Sequence, residues 1–132
     1  MTCALDTSVL VRILVGSPQP LASQVVCEIE RRRRSGAVFR ISNLVLSETY
    51  YAVQYHYGVS KASVLNALRI LSAQKGFEFT SEAVAALSLP DIDRAAPGFV
   101  DRLIHGEQHR LGIRILSCEK KFRKLPDAEI LS

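Results

Sequence analysis

The chain has 132 residues, 48% of them hydrophobic and 23% charged, a composition typical of a globular protein and not of a disordered one. Its length fits a single domain over residues 1–132, and its apolar runs are shorter than the roughly 20 residues that span a bilayer. Without a signal-peptide pattern at the N-terminus we expect a cytoplasmic protein with no membrane contact, and the formal net charge of +4 fits a polyanionic partner.

The first part of the chain alternates between short apolar runs and amphipathic segments. Residues 3–5 predict a buried strand, and Thr7 or Ser8 is a candidate cap for the helix that follows. Further elements are predicted as a helix at 20–35, a strand at 37–42, and a helix from Ser42 or Asn43 to about Gly58.

The alternation continues to the end of the chain. The predicted elements are helices at 60–76, 81–89 and 99–111, strands at 77–80 and 113–117, a helical turn at 119–125, and a last strand at 128–131. This order predicts an α/β fold, with a mainly parallel central sheet of about four to five strands flanked by helices.

Several carboxylates interrupt apolar sequence. Asp6 divides two apolar runs, Glu48 lies within "NLVLSETYYAV", and Asp101 lies within "GFVDRLI". Asp6 and Glu119 also follow predicted strands directly. Because ligands of open parallel sheets bind beyond the carboxyl ends of the strands, these acids mark a candidate site.

Clustered carboxylates repel one another unless a positive charge lies among them. That charge is an Arg or Lys side chain or a divalent cation, and Mg²⁺ and Mn²⁺ prefer oxygen ligands. Basic residues are grouped elsewhere, at 31–34 and 120–124. Clustered acids together with these two basic groups indicate a metal-dependent nuclease.

Three segments carry a family resemblance: "ALDTSVLVRILVG", "ISNLVLSETYYAVQYHYGVS" and "GFVDRLIHGEQHRLGIRILSCEKKFRKL". In this order they resemble the PIN-domain family, especially the VapC-type toxin ribonucleases of toxin–antitoxin systems. The resemblance covers nearly the whole chain. It assigns the family's acidic positions to Asp6, Glu48, Asp101 and Glu119, and the polar positions beside them to Ser8 and Ser117.

The resemblance implies an endoribonuclease that cleaves single-stranded RNA with a water activated by Mg²⁺ or Mn²⁺. It also implies a homodimer that a small antitoxin protein inhibits. Two positions depart from the family pattern: Glu119 replaces the usual Asp, and Gly98 replaces a further acid. The departures keep open an alternative, a catalytically weak or inactive PIN-like module that binds RNA or a protein partner. A phosphate-accepting response-regulator-like domain would need early paired acids that the sequence lacks.

Each acid also has a structural interpretation. Asp6 is a suitable helix cap, and Glu48 is a candidate for one half of an ion pair, although its apolar neighbours argue against full exposure. Asp101 has Arg102, Arg110 or another basic residue as candidate partners. Glu119 precedes several lysines with which it can pair.

Other side chains are candidates for substrate contact. Arg12, Lys120 and Lys121 are candidate RNA ligands. His105 is a candidate proton donor or phosphate contact, with packing as the alternative; its row with Asp101 and His109 lacks the Glu of a zinc motif.

The four tyrosines all lie between residues 50 and 57, within one predicted helix. A helix buries only one face, so some of these rings must be exposed or meet a partner. We interpret them as a dimer or antitoxin surface, with RNA-base stacking as the alternative.

Overall fold

The computed structural model describes residues 1–131. Its backbone contacts divide the chain into two compact units. The first unit is Met1–Thr80 and the second begins at Ser81. That the whole chain acts as a single domain stays a prediction.

The first unit is a three-stranded parallel sheet with four helices. Its elements are β1 (Thr2–Ala4), α1 (Thr7–Val15), α2 (Leu21–Arg34), β2 (Val38–Arg40), α3 (Asn43–Tyr57), α4 (Lys61–Ser72) and β3 (Phe77–Glu78). The strands pair in the order β1–β2–β3, with Cys3 opposite Phe39 and Phe39 opposite Phe77. The carboxyl ends of β1 and β2 therefore lie side by side, and the chain enters α1 and α3 from that edge.

Side-chain caps fix where the helices of this unit begin. Asp6, Ser42 and Ser60 each accept a hydrogen bond from the backbone N–H three residues later, which satisfies one of the free donors of the first turn. At the other end, Gly16 and Gly58 end α1 and α3 in the left-handed conformation, with φ of 71° and 65°. This conformation costs glycine least.

Large apolar side chains make up the interior of the first unit. α1 packs against α2 and α3, and Phe39 of β2 contacts Phe77 of β3 with 5.8 Å between ring centroids. Leu10 and Leu46 are fully buried. Packing of this kind holds α1 and α3 together and so fixes the beginning of α1 beside α3.

The second unit contains α5 (Ser81–Leu87), α6 (Phe99–His109), β4 (Ile115–Ser117), a 3-10 helix (Lys120–Lys124) and β5 (Ala128–Ile130). β4 and β5 form a two-stranded parallel sheet, with Leu116 opposite Glu129. α5 and α6 pack closely at Gly106, where an added Cβ would overlap the Glu82 side chain.

The predicted α/β class and the parallel strands are confirmed. The five strands pair as three plus two within the described residues, and not as one ladder. Most helix bounds agree within two residues, but α4 ends at Ser72 although Gly76 was predicted to close it. The Ala73 and Gln74 N–H groups bond to carbonyls three residues back, so tighter turns end this helix early. No helix of the described chain is long and apolar enough to cross a membrane.

Candidate nuclease site

Asp6 follows β1 and caps α1, so the structural interpretation of this residue is confirmed. Its Oδ1 accepts hydrogen bonds from the Ser8 hydroxyl at 2.6 Å and from the Val9 backbone N–H at 3.2 Å. These two bonds hold the pKa of Asp6 below its usual value, with a smaller contribution from the Arg12 charge. Asp6 is therefore an oriented anion at neutral pH, and capping leaves its other oxygen available.

Glu48 lies on α3, and the Thr7 hydroxyl donates a hydrogen bond to its Oε1 at 3.1 Å. Thr7 is the neighbour of Asp6, so both predicted acids of the first unit are held at the beginning of α1. The apolar neighbours of Glu48 do not bury it. Its side chain is exposed because α3 buries the face that carries Leu46 and Val53.

Asp101 and Glu119 of the second unit converge on one cation, the ammonium group of Lys121. Lys121 Nζ lies 2.9 Å from Asp101 Oδ2 and 2.9 Å from Glu119 Oε2. The two carboxylates, Glu119 first, raise the pKa of Lys121 above its usual value. The predicted ion pair of Asp101 is confirmed with another basic residue, Lys121. Neither arginine is used, since Arg102 donates to the Pro97 carbonyl and Arg110 pairs with Glu82.

The two serines predicted beside the acids make hydrogen bonds at the predicted positions. Ser8 donates to the Asp6 carboxylate. Ser117, at the end of β4, accepts a hydrogen bond from the Glu119 backbone N–H at 3.0 Å. Each serine fixes the turn that presents its acid.

The acids are more exposed than their apolar sequence context predicts. Asp6, Glu48 and Glu119 are exposed, and the side chain of Asp101 keeps 28% of its accessible surface. Solvent therefore reaches all four carboxylates.

Carboxylate oxygens are suitable donors for Mg²⁺ or Mn²⁺. Among residues 1–131, no three His, Cys, Asp or Glu side chains are arranged to hold a metal ion. The Asp101 and Glu119 pair nevertheless fits a cation, because both oxygens already approach one positive charge at the same distance. All four predicted acids have oxygen atoms of the kind that such an ion binds. In the second unit, Asp101 and Glu119 also direct their oxygens towards one point.

Arg12 lies one turn beyond Ser8 on α1. Its Nη1 donates to the Ser8 carbonyl at 2.8 Å, and its buried Nε has no hydrogen-bond partner among the described residues. An unused donor of a guanidinium group is expensive to bury without a partner. Arg12 therefore keeps capacity for a further acceptor near Asp6.

His105 is buried, with 6% of its surface exposed, and its Nε2 donates to the Pro126 carbonyl. Its ring stacks on His109, which pairs with Asp127 at 3.2 Å. The structure therefore favours the alternative packing role for His105, and a substrate contact by this residue stays a prediction.

The tyrosines divide as the helical period requires. Tyr50 is buried, whereas Tyr51 and Tyr55 are exposed and stack with 6.2 Å between ring centroids. Leu44, which is 71% exposed, precedes them at helical spacing and shares their face with Glu48. This exposed apolar face of α3 is formed by Leu44, Tyr51 and Tyr55.

Two glutamates offset part of the charge of the four arginines at the end of α2. Arg31 and Arg32 both pair with Glu28, and Arg33 pairs with Glu30 while its guanidinium lies over the Phe77 ring at 4.9 Å. These arginines therefore add less positive potential than their sequence suggests.

Sequence reasoning missed two contacts that organise the site: the Thr7 bond to Glu48 and the approach of Lys121 to Asp101. The predicted pairing of Glu119 with a following lysine is confirmed. Lys121 was interpreted as an RNA ligand because it belongs to a basic run. Its position two residues after Glu119 was the available signal, but its approach to Asp101 depends on long-range packing.

Comparisons with known proteins agree with the resemblance seen in the sequence. The PIN domain family model matches residues 3–128. No curated protein matches the chain. A solved structure of VapBC2 from Rickettsia felis, bound to a DNA fragment from their promoter, is similar at 17% identity, over 99% of this chain and 98% of that chain, with a TM-score of 0.39. At that score it carries no argument, and the family assignment rests on the family model.

Proposed function

This chain belongs to the PIN-domain family, and we propose that it is a divalent-metal-dependent endoribonuclease that hydrolyses RNA phosphodiester bonds. Family membership indicates a nuclease in general terms. The choice of RNA, the dependence on Mg²⁺ or Mn²⁺, and the location in the cytoplasm are parts of the proposal.

One observation carries the proposal: the four predicted acids stand as two organised pairs. Thr7 links Glu48 to the turn that presents Asp6, and Lys121 links Asp101 to Glu119. All four stand at the acidic positions that the family resemblance assigns, and hydroxyl groups and a shared cation hold them there. We propose that Asp6, Glu48, Asp101 and Glu119 all serve the metal-dependent step.

A bound divalent cation would offset charge on the scissile phosphate and favour deprotonation of the attacking water. The chain supplies what such an ion needs. Ser8 and the Val9 N–H keep Asp6 ionised and aimed, and Thr7 fixes one oxygen of Glu48. Ser117 sets the backbone from which Glu119 projects.

RNA contacts are proposed for Arg12 and Lys120. Arg12 is held beside Asp6 by its bond to the Ser8 carbonyl, and Lys120 is exposed at the beginning of the 3-10 helix. The net charge of +4 supports binding to a phosphate backbone.

We further propose that two copies of the chain associate through the exposed apolar face of α3. Leu44 and Tyr55 expose 71% and 80% of their surfaces, and aromatic side chains are enriched in the cores of protein interfaces. Inhibition by a small antitoxin protein is proposed from the family resemblance.

A second candidate function is a PIN-like module with weak or no activity. The observation that favours it is the Lys121 ammonium group, which already occupies the Asp101 and Glu119 carboxylates. Gly98 at the position of a further acid supports the same alternative.

The test is cleavage of a mixed pool of structured and single-stranded RNAs with Mn²⁺, Mg²⁺ or EDTA. The proposal predicts cuts in single-stranded segments with either metal and none with EDTA. Undiminished cleavage in EDTA would contradict metal dependence. RNA binding without cleavage in any condition would establish the second candidate.

A further inference from the structure

We propose that Lys121 is a resident cation that competes with the divalent ion for Asp101 and Glu119, so that the chain binds metal only by releasing its own lysine. The inference rests on the proposed function, since it assumes that these two acids take part in metal binding. It assigns to Lys121 a regulatory role in place of the RNA contact predicted from the sequence.

Neighbouring contacts position the three side chains of the bridge, Lys121, Asp101 and Glu119. Glu119 is fixed through its backbone by Ser117, and Asp101 is fixed in the first turn of α6. Phe122, the residue after Lys121, is buried with 5% of its surface exposed and anchors the 3-10 helix. Lys121 therefore leaves an anchored backbone with its ammonium group 2.9 Å from both carboxylates.

The charges favour competition over a permanent block. The Lys121, Asp101 and Glu119 side chains keep 36%, 28% and 60% of their accessible surface, and ion pairs that are this exposed are weak. A divalent ion carries twice the charge of the ammonium and takes the same oxygens as ligands. It can therefore displace the lysine, but its apparent affinity is lowered by the displacement.

The competition is specific to Lys121 among the lysines of the 3-10 helix. Lys124 is exposed on the same helix and forms no ion pair with the residues that the structure describes. Replacement of either lysine by Met removes one positive charge and keeps an unbranched side chain. Lys124→Met is therefore a matched control for the general electrostatic effect.

The first test is calorimetric titration of Mn²⁺ into the wild type, Lys121→Met and Lys124→Met, without RNA. We expect Lys121→Met to bind Mn²⁺ about 10-fold more tightly than the wild type and Lys124→Met to stay within about two-fold, as the modest strength of exposed ion pairs predicts. Equal affinity of the two variants would overturn the inference. Absence of Mn²⁺ binding in Lys121→Met would overturn it as well.

A second test needs no variant. Lysine acetylation by a small reagent, followed by mass spectrometry, reports whether the Lys121 amine is held or free. Mn²⁺ should increase the rate of acetylation of Lys121 and leave that of Lys124 unchanged; an unchanged rate at Lys121 would contradict displacement. Neither test measures RNA cleavage. A failure of the nuclease proposal would appear as RNA cuts that persist in EDTA, and it can therefore be told apart from a failure of the Lys121 inference.

Discussion

The Asp6 carboxylate is held by groups of the helix that it caps. The Ser8 hydroxyl and the Val9 backbone N–H both donate to Oδ1, so a single oxygen accepts both bonds. A capping role and a role in catalysis therefore do not compete for Asp6. Local sequence, Asp-Thr-Ser at the end of a strand, is enough to establish the cap, and this is why its presence was predictable.

Substitution of Ser8 by Ala should raise the pKa of Asp6 towards its ordinary value, because the Ser8 bond is the largest cause of the depression. A carboxylate with a depressed folded-state pKa stabilises the fold above its unfolded pKa, and this stabilisation is lost as the pH falls through the folded pKa. The variant should therefore lose stability at neutral pH relative to the wild type, and the difference should disappear in acid.

Carboxyl carbon chemical shifts followed through a pH titration measure the Asp6 pKa directly. Ser88→Ala is a suitable control because Ser88 donates to the Val84 carbonyl and to no carboxylate. An Asp6 pKa that is the same in Ser8→Ala and in the wild type would contradict this account of the cap.

Within the second unit, the helices α5 and α6 pack closely against each other. Gly106 of α6 lies against Glu82 of α5, and a Cβ at position 106 would overlap the Glu82 Cβ and lie 3.1 Å from its Cγ. The Glu82 side chain is only 6% exposed and pairs with Arg110 at 3.2 Å, so it has little freedom to move away.

Gly106→Ala should therefore destabilise the protein by about 1–3 kcal/mol, the usual cost of overpacking. Chemical denaturation followed by circular dichroism measures this change. Gly98→Ala is the control for an added Cβ without overlap, because its Cβ would meet only the Ala95 carbonyl at 3.7 Å. Gly98 is the N-cap of α6, so its replacement by Ala should cost only the capping preference, about 1 kcal/mol or less. Similar stability of the two variants would show that α5 and α6 yield more readily than their packing indicates.

The exposed apolar face of α3 predicts that two copies of the chain associate through this helix. Leu44→Ser combined with Tyr55→Ser removes its two most exposed members and should shift the chain from dimer to monomer in sedimentation velocity. Ile70→Ser on α4, where Ile70 is 47% exposed, is the control for loss of surface hydrophobicity. A variant that stays dimeric but loses RNA binding would favour base stacking on the tyrosines.

The elements were predictable because their signals are local. Capping side chains at Ser42 and Ser60 and glycine at position 58 marked helix ends that the structure confirms. Exposure was harder to predict, because the apolar residues around Glu48 belong partly to the buried face of α3 and partly to its exposed apolar face. Leu44 is the clearest case, since it reads as core in the sequence and is exposed in the structure.

At the scale of the whole molecule, the chain divides its predicted acids between its two units. Asp6 and Glu48 belong to the first, and Asp101 and Glu119 belong to the second. The order of these acids along the sequence was sufficient to indicate the family. The local contacts, Ser8 with Asp6 and Lys121 with Glu119, lie within reach of sequence reasoning. Two others could not be predicted, because each joins residues distant in sequence: Thr7 with Glu48, and Lys121 with Asp101.

The most direct test of the central claim is the rate of Mn²⁺-dependent cleavage of one single-stranded RNA by Asp6→Asn, Asp101→Asn and the control Asp91→Asn. Asp91 is an exposed acid outside the proposed site, so all three variants make the same change in charge. The account predicts a loss of about 100-fold or more in each of the first two variants, the order expected when a group that stabilises transition-state charge is removed, and a rate close to wild type for Asp91→Asn. Equal rates in all three would contradict the claim that carboxylates from both units carry out metal-dependent cleavage of RNA.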